Sequence, residues 1–302
     1  IGVSAIGMMF FTSRPVGDAM ATTIWGTSSS WTLTALPLFV WMGEILFRTK
    51  LSENLFRGLS PWMQKLPGGL IHVNVVGCAL FAAISGSSAA TVATVGKMSI
   101  PELRKRKYPE KILLGSLAGS GTLGLLIPPS IILIIYGVAV QESIAKLFIA
   151  GIIPGIMIAL IFMSYVIIWS LINKKDMPKI LEEYSFFEKV KRSKQLLPVI
   201  ILIFAVIGSI YTGIATATEA ASLGVVGALI LSYLQKSLTL KTFQSSLLGA
   251  TKTSCMIAFI LAGSTFLSLA MGFTGLPRNL AVWIQNMELS PYVLIFVLMV
   301  FY

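Results

Sequence analysis

The chain has 302 residues, of which 56% are hydrophobic and only 12% are charged. Soluble domains carry about 25% charged residues, so this composition excludes a soluble globular protein and predicts an all-α polytopic membrane protein. The formal net charge of +11 at pH 7 comes largely from short basic segments between apolar runs. That segregation is the positive-inside pattern of membrane proteins and does not indicate nucleic-acid binding.

Nine apolar runs are candidates for membrane segments, because a span needs about 20 apolar residues. Seven are single candidate spans, at 1–12, 33–47, 112–140, 147–172, 196–212, 214–234 and 291–302. Two others, at 69–100 and 250–285, are longer and internally broken. The first and last runs reach Ile1 and Tyr302, so we expect the chain to be part of a longer protein.

An amphipathic segment precedes each of the two broken runs. Segments 48–65 and 238–248 mix basic and apolar side chains at a spacing typical of an interfacial helix. The order of span, amphipathic arm and broken segment therefore occurs twice, which predicts two repeats.

Small polar residues interrupt the run at 69–100, namely Ser85, Gly86, Ser87, Ser88 and Thr91. Both flanks, 48–65 and 101–111, are basic and are expected to face the cytoplasm. Because a straight helix over this run is longer than a bilayer core of about 30 Å, we predict a re-entrant hairpin with its tip at 85–91.

A second tip is predicted 177 residues later, at Gly263, Ser264 and Thr265, where the sequence repeats a Cys-to-Gly-Ser spacing. Four crossings between the tips place both hairpins on the same side, whereas an inverted repeat requires an odd number. Either one of the runs 196–212 and 214–234 is not a span, or the repeat is parallel. The sidedness of the second hairpin stays open.

Tandem prolines interrupt the run at 112–140. Pro128 and Pro129 each lack a backbone donor and disfavour helix in the preceding residue, so the chain from Gly121 and Thr122 to Ser130 is expected to be a broken helix. A simple packing kink is the alternative. Broken helices in membranes present free carbonyls to cations and helix N-termini to anions, so we favour a binding site.

Intramembrane charge is rare, and Glu219 is the best acidic candidate for a role in transport. The alternative is that Glu219 caps the helix that follows Thr216. The single histidine, His72, cannot form a typical histidine-rich zinc site, and no carboxylate pair has acid/base spacing. No Walker A sequence is present, so ATP hydrolysis by this chain is not expected, and we predict that it is not an enzyme.

Five sequence motifs resemble those of a known family, and they occur in the family's order over nearly the whole chain. They are 68–76 (GGLIHVNVV), 84–89 (ISGSSA), 121–130 (GTLGLLIPPS), 150–155 (AGIIPG) and 211–221 (YTGIATATEAA). On these residues the chain resembles the large membrane subunit of the TRAP (tripartite ATP-independent periplasmic) transporters.

The resemblance implies a multi-pass protein of the bacterial inner membrane that imports an organic acid with Na⁺. A periplasmic binding protein delivers the substrate, and a small four-helix membrane subunit, the Q type, sometimes fused, completes the complex. It also implies an elevator mechanism, in which two hairpins move against a scaffold. Family substrates include C4-dicarboxylates and sialic acids, and the tip of this chain is more similar to the sialic acid type.

This chain also differs from the family in its length and in one residue of the first tip. Family members are longer at both ends, and a second Pro-Pro broken helix is expected beyond Tyr302. Many members carry an acidic residue at the first tip where this chain has Thr91, which argues against a carboxylate ligand there.

The elevator mechanism implies a division of the chain. Residues 1–66 are expected to form scaffold helices and the first arm, and 67–140 the first hairpin and broken helix. Residues 141–249 are expected to form connecting scaffold helices and the second arm, and 250–302 the second hairpin and the start of the next helix.

The predicted substrate and ion site joins both tips and the broken helix. Its residues are Ser85, Gly86, Ser87, Ser88, Thr91, Gly121, Thr122, Pro128, Pro129, Ser130, Glu219, Gly263, Ser264 and Thr265. Within it, Na⁺ is assigned to Ser87, Ser88, Gly121 and Ser264. One alternative function is a divalent-anion/Na⁺ symporter that works without a binding protein. Another is a structural membrane protein with no substrate, for which no ion gradient drives uptake.

Overall fold

A computed structural model describes residues 1–11, 15–49, 51–178, 184–194 and 196–301. Within these residues the secondary structure is helical and no β-strand occurs. The all-α prediction is therefore confirmed. Three helices are long and apolar enough to cross a membrane, or up to five if each bent helix pair counts as one span.

The described residues form fifteen α-helices, numbered in chain order. They are α1 (Gly2–Phe11), α2 (Val16–Ser28), α3 (Ala35–Phe47), α4 (Leu51–Met63), α5 (Ile71–Ser85), α6 (Ser88–Lys105), α7 (Glu110–Gly121), α8 (Ile131–Val140), α9 (Ile144–Ile172), α10 (Phe186–Ser193), α11 (Leu197–Tyr211), α12 (Ala217–Leu234), α13 (Leu240–Phe273), α14 (Leu276–Gln285) and α15 (Pro291–Phe301). Short 3₁₀ helices lie at Trp31–Thr34, Thr122–Leu125 and Lys174–Asp176.

The chain divides into two compact units. The larger unit is Ser30–Cys255, and the smaller one combines Ile1–Ser29 with Met256–Tyr302. In the smaller unit, Met8, Phe266 and Ala270 form a buried apolar cluster.

The larger unit contains a tight pair of helices, α3 and α12. Small residues on α12 permit this close approach, since a Cβ placed on Gly224 would lie 2.5 Å from Met42 Sδ. Ala221 and Ala228 of α12 are fully buried. Small residues at such positions let membrane helices pack closely.

The predicted first hairpin is confirmed as a pair of helices, α5 and α6, separated by only two residues. A Cβ on Gly77 would lie 3.6 Å from Val95 Cγ1, and these residues stand equally far before and after the break at Gly86. The two helices therefore run antiparallel. Helix α5 is too short for a full span, since its 15 residues make about 22 Å of helix.

The predicted first arm is a separate helix, α4, as expected. The predicted second arm is not a separate helix. Residues 238–248 do not form an independent amphipathic helix, because α13 begins at Leu240 and continues without interruption for 34 residues.

The prediction of a hairpin tip at 263–265 is wrong, because α13 passes through these residues as continuous helix. The Ser264 and Thr265 hydroxyls both donate to the Leu261 carbonyl, so they are satisfied within the helix. The helix also contains no proline, and no left-handed residue interrupts it before Gly275, whose φ is +70°. The break lies at Thr274 and Gly275, after which α14 begins.

Candidate functional site

The tip of the first hairpin is formed by one glycine and one capping serine. Gly86 has a φ of 59°, in the left-handed region, and its N–H donates to the Ala82 carbonyl at 2.9 Å to end α5. Glycine adopts this conformation without steric cost. Ser87 is extended and caps α6, its hydroxyl accepting from Ala90 N at 3.4 Å. The local sequence therefore accounts for the turn.

Hydroxyl contacts close the tip. Ser85 Oγ and Thr91 Oγ1 are 3.0 Å apart and both residues are buried. Ser87 N donates to Ser85 Oγ at 3.3 Å. Thr91 joins the two helices of the hairpin through its contact with Ser85.

The predicted broken helix is confirmed. Helix α7 ends at Gly121, the chain continues as a 3₁₀ turn at Thr122–Leu125, and α8 begins at Ile131. Pro128 and Pro129 lie buried in the connection and are joined by a cis peptide bond.

Ser130 caps the second half of the broken helix. Its hydroxyl donates to the Leu125 carbonyl at 2.6 Å and accepts from Leu133 N at 3.5 Å. The N-terminus of α8 is thereby fixed next to the 3₁₀ turn.

The hairpin tip and the broken helix are in direct backbone contact. Ile131 N donates to the Gly86 carbonyl at 3.2 Å. A Cβ on Gly86 would lie 2.6 Å from the Pro129 oxygen, and a Cβ on Gly124 would lie 2.8 Å from Ser88 N. The N-termini of α6 and α8 therefore lie close together, on either side of the hydrogen bond between Ile131 N and the Gly86 carbonyl. Helix N-termini carry partial positive charge and favour anions.

Two further helices close the site through glycines. A Cβ on Gly43 of α3 would lie 2.9 Å from Ser85 Cα, and one on Gly151 of α9 would lie 2.7 Å from the Leu126 oxygen. Sequence reasoning did not place Gly43, or the backbone of Ile131, at the site. The sequence does show a glycine inside an apolar helix at position 43, which indicates a close helix contact. It does not show that Ser85 is the residue in contact.

Two buried hydroxyls in this region have no protein partner among the described residues, Ser88 Oγ and Ser120 Oγ. A buried polar atom without a partner is costly, so such an atom is a candidate ligand for a bound ion. No cluster of three or more His, Cys, Asp or Glu that could hold a metal occurs in the described part of the chain.

Polar contacts anchor the base of the hairpin. Asn74 Nδ2 donates to the Leu113 carbonyl at 3.2 Å and to Ser116 Oγ at 3.0 Å, which ties α5 to α7. The Tyr108 hydroxyl accepts from Leu70 N at 3.1 Å. Burial raises the pKa of the Tyr108 hydroxyl. Hairpin and broken helix are therefore joined at both ends.

Several predicted site residues lie outside this cluster. Thr122 is exposed and its hydroxyl donates to the Gly119 carbonyl at 2.7 Å. Glu219 is exposed and forms a capping box, its Oε2 accepting from Thr216 N at 2.8 Å. The capping alternative is thus the arrangement observed. Gly263, Ser264 and Thr265 are mid-helix residues of the smaller unit.

Comparison with known proteins identifies the family. Residues 1–302 match the family described as "Tripartite ATP-independent periplasmic transporter, DctM component". The chain is 32% identical to the C4-dicarboxylate TRAP transporter large permease protein DctM of Pseudomonas aeruginosa, over 98% of this chain and 69% of that protein.

Two other relatives have different substrates in their names. The sialic acid TRAP transporter large permease protein SiaM of Vibrio cholerae is 32% identical, over 96% of this chain and 68% of that protein. The isethionate TRAP transporter permease protein DctMQ of Oleidesulfovibrio alaskensis is 30% identical, over 93% of this chain and 44% of that protein. The chain therefore belongs to the DctM component of the tripartite ATP-independent periplasmic transporters, a family of transporter permeases and not of enzymes.

Proposed function

We propose that this chain is the large membrane subunit of an inner-membrane importer that couples the entry of an organic acid to Na⁺. The observation that carries the proposal is the backbone contact between Gly86 and Ile131, which brings two helix N-termini together. In this proposal the same contact organises the substrate site and the ion site.

The helix N-termini support an anionic substrate. The N-terminal ends of α6 and α8 provide partial positive charge that favours a carboxylate. The relatives named for C4-dicarboxylate, sialic acid and isethionate support the same substrate class. Sialic acid or a C4-dicarboxylate is the substrate that we propose for this chain.

The proposed cation ligands are oxygens next to the 3₁₀ turn. Ser88 Oγ is buried and has no partner in the described part of the chain, and the Ser87 carbonyl oxygen would lie 3.1 Å from a Cβ on Gly124. Interrupted helices coordinate Na⁺ in this manner in secondary transporters. Ser87, Ser88 and Gly121 are therefore kept as proposed ligands. Ser264 lies in the smaller unit and its hydroxyl donates to the Leu261 carbonyl, so its part in an ion site rests on the repeated sequence spacing alone.

An elevator movement is supported by unequal packing around the hairpin. The hairpin is tied to α7 by Asn74 and to α8 by Gly86. On another side, an apolar cavity of about 460 Å³ separates Ala79 and Ala83 of α5 from α9 and α11. We propose that the hairpin and broken helix move together along this loosely packed side, in a complex with a small membrane subunit and a periplasmic binding protein.

Uptake measurements test the function. The full-length protein, reconstituted in vesicles with its small membrane subunit, is expected to import sialic acid or succinate only when an inward Na⁺ gradient and the binding protein are both present. ATP is not required. Equal uptake driven by a proton gradient in Na⁺-free buffer would contradict the ion assignment. Equal uptake without binding protein would favour the divalent-anion symporter. Competition between sialic acid and succinate identifies the substrate.

Replacing Ser88 with alanine tests the ion site. Loss of one oxygen ligand is expected to raise the Na⁺ concentration for half-maximal uptake by about 10-fold or more. Ser99→Ala is the matched control, because its hydroxyl is also buried without a partner on the same helix but lies about 16 Å farther along it. An unchanged Na⁺ dependence in Ser88→Ala, or an equal shift in both variants, would remove Ser88 from the site.

A further inference from the structure

Helix α10 is a short basic helix with an apolar face. A capping box stabilises its start, with Ser185 N donating to Glu188 Oε2 at 3.1 Å. Phe186 and Phe187 both lie beside Val190, because Val190 is four residues after the first and three after the second, and residues three or four apart share a helix face. The basic residues of the helix and its end are Lys189, Lys191, Arg192 and Lys194.

Helix α10 is attached to the amphipathic arm α4 through Trp62. The indole Nε1 donates to Ser193 Oγ at 2.7 Å, and the Trp62 and Phe186 rings meet edge to face with centroids 6.2 Å apart. Lys189 Nζ lies 5.6 Å from the centre of the same indole ring. These contacts hold the two helices together as a platform, which we define as α4 with α10.

Apart from the contact of Phe186 with Trp62, most of the apolar face of α10 is exposed among the described residues of the larger unit. Phe186 and Phe187 are 72% and 76% exposed, and Val190 is 38% exposed. The helix is also bent by 56° from α11, the apolar helix that follows it. An amphipathic helix bent away from a span, with exposed phenylalanines beside lysines, fits the surface of a bilayer.

We propose that this platform binds anionic phospholipid, with Phe187 and Val190 inserted among the acyl chains and Lys191 and Lys194 on the headgroups. The positive charge of this segment favours anionic phospholipid over other partners of the apolar face. Basic residues outnumber acidic ones by four to one between Ser185 and Lys194. Basic clusters beside an amphipathic helix attract anionic headgroups, whereas a neutral lipid or an apolar protein surface gains nothing from them. The proposal does not depend on the ion or substrate assignments.

The first test compares two double variants of the full-length transporter complex. Lys191→Gln with Lys194→Gln is expected to weaken the binding of phosphatidylglycerol roughly 30-fold, since each basic residue at an anionic surface contributes a factor of about five. The measurement is native mass spectrometry during titration of phosphatidylglycerol into mixed detergent micelles.

The matched control is Lys105→Gln with Lys111→Gln. It removes the same charge from exposed helical positions near a second basic run, where Arg104 and Arg106 are already paired with Glu110 and Glu102. Binding in the control is expected to stay close to the wild-type value. Equal loss in both double variants, or loss in neither, would overturn the proposal.

The second test locates Phe187. A fluorophore on Phe187→Cys, in a background without other reactive cysteines, is expected to be quenched by brominated phosphatidylglycerol in nanodiscs and protected from aqueous iodide. The same fluorophore on Lys191→Cys is expected to show more iodide quenching. Iodide quenching at position 187 would place the face in water, and protection from both quenchers would place a protein partner on it. Either result overturns the proposal.

Discussion

Replacing Gly86 with alanine is expected to abolish uptake and to destabilise the transporter. Gly86 has a φ of 59°, which costs a residue with a Cβ about 1–2 kcal/mol. The new methyl group would also lie 2.6 Å from the Pro129 oxygen, a backbone atom that cannot rotate aside. Forcing an extra methyl into a tight contact costs about 1–3 kcal/mol more. Uptake in vesicles and thermal unfolding of the purified complex measure the two effects.

The control for Gly86→Ala is Gly213→Ala. Gly213 also has a positive φ, 72°, but no described atom lies within 4 Å of a Cβ placed there. This variant therefore carries the conformational cost alone, about 1–2 kcal/mol, and is expected to retain uptake. If both variants lose the same stability and both still transport, the contact between tip and broken helix is not required.

Replacing Gly124 with alanine is expected to have the second largest effect. A Cβ there would lie 2.8 Å from Ser88 N and 2.9 Å from the Ser87 carbonyl carbon. Both neighbours are backbone atoms of the hairpin tip, so the hairpin and the 3₁₀ turn must move apart. We expect a destabilisation of about 1–3 kcal/mol and a strong loss of Na⁺-dependent uptake, measured as for Gly86.

The control for Gly124→Ala is Gly115→Ala, in the first half of the broken helix. No described atom lies within 4 Å of its Cβ position, and the residue is exposed. Alanine is favoured over glycine in a helix by up to about 1 kcal/mol, so this variant is expected to be slightly more stable and active. Uptake lost equally in both variants would contradict a specific role for the Gly124 contact.

The first hairpin and the broken helix could be predicted from the sequence because their causes are local. Gly86 followed by Ser87 combines a residue that tolerates positive φ with a residue that caps helices. Pro128 and Pro129 remove two consecutive donors, and each also disfavours helical backbone in the residue before it. The cap at Thr216 and Glu219 was recognisable for the same reason, although its role could not be chosen from the sequence.

The second tip was mispredicted because its sequence resembles the first without sharing its causes. Gly263 keeps helical backbone within α13, and Ser264 and Thr265 donate to a carbonyl of the preceding turn. Small and hydroxyl residues are compatible with a helix when such internal bonds are available. The actual break follows Thr274, at Gly275, where φ is positive. The glycines at the true breaks, Gly86 and Gly275, have positive φ, whereas Gly263 is helical. Composition alone does not separate these cases.

The sequence by itself determined the class of the protein, the first hairpin, the broken helix and the family. The class, the hairpin and the broken helix follow from apolar length, segregated charge and backbone preferences, which act over a few neighbouring residues. The family follows from the resemblance of five sequence segments. Only the tertiary structure decided that Gly86 meets Pro129 and Ile131, that Gly43 lies against Ser85, and that the Ser88 hydroxyl has no partner among the described residues. Such contacts join segments about 40 residues apart, and they depend on how helices pack, which no local pattern encodes.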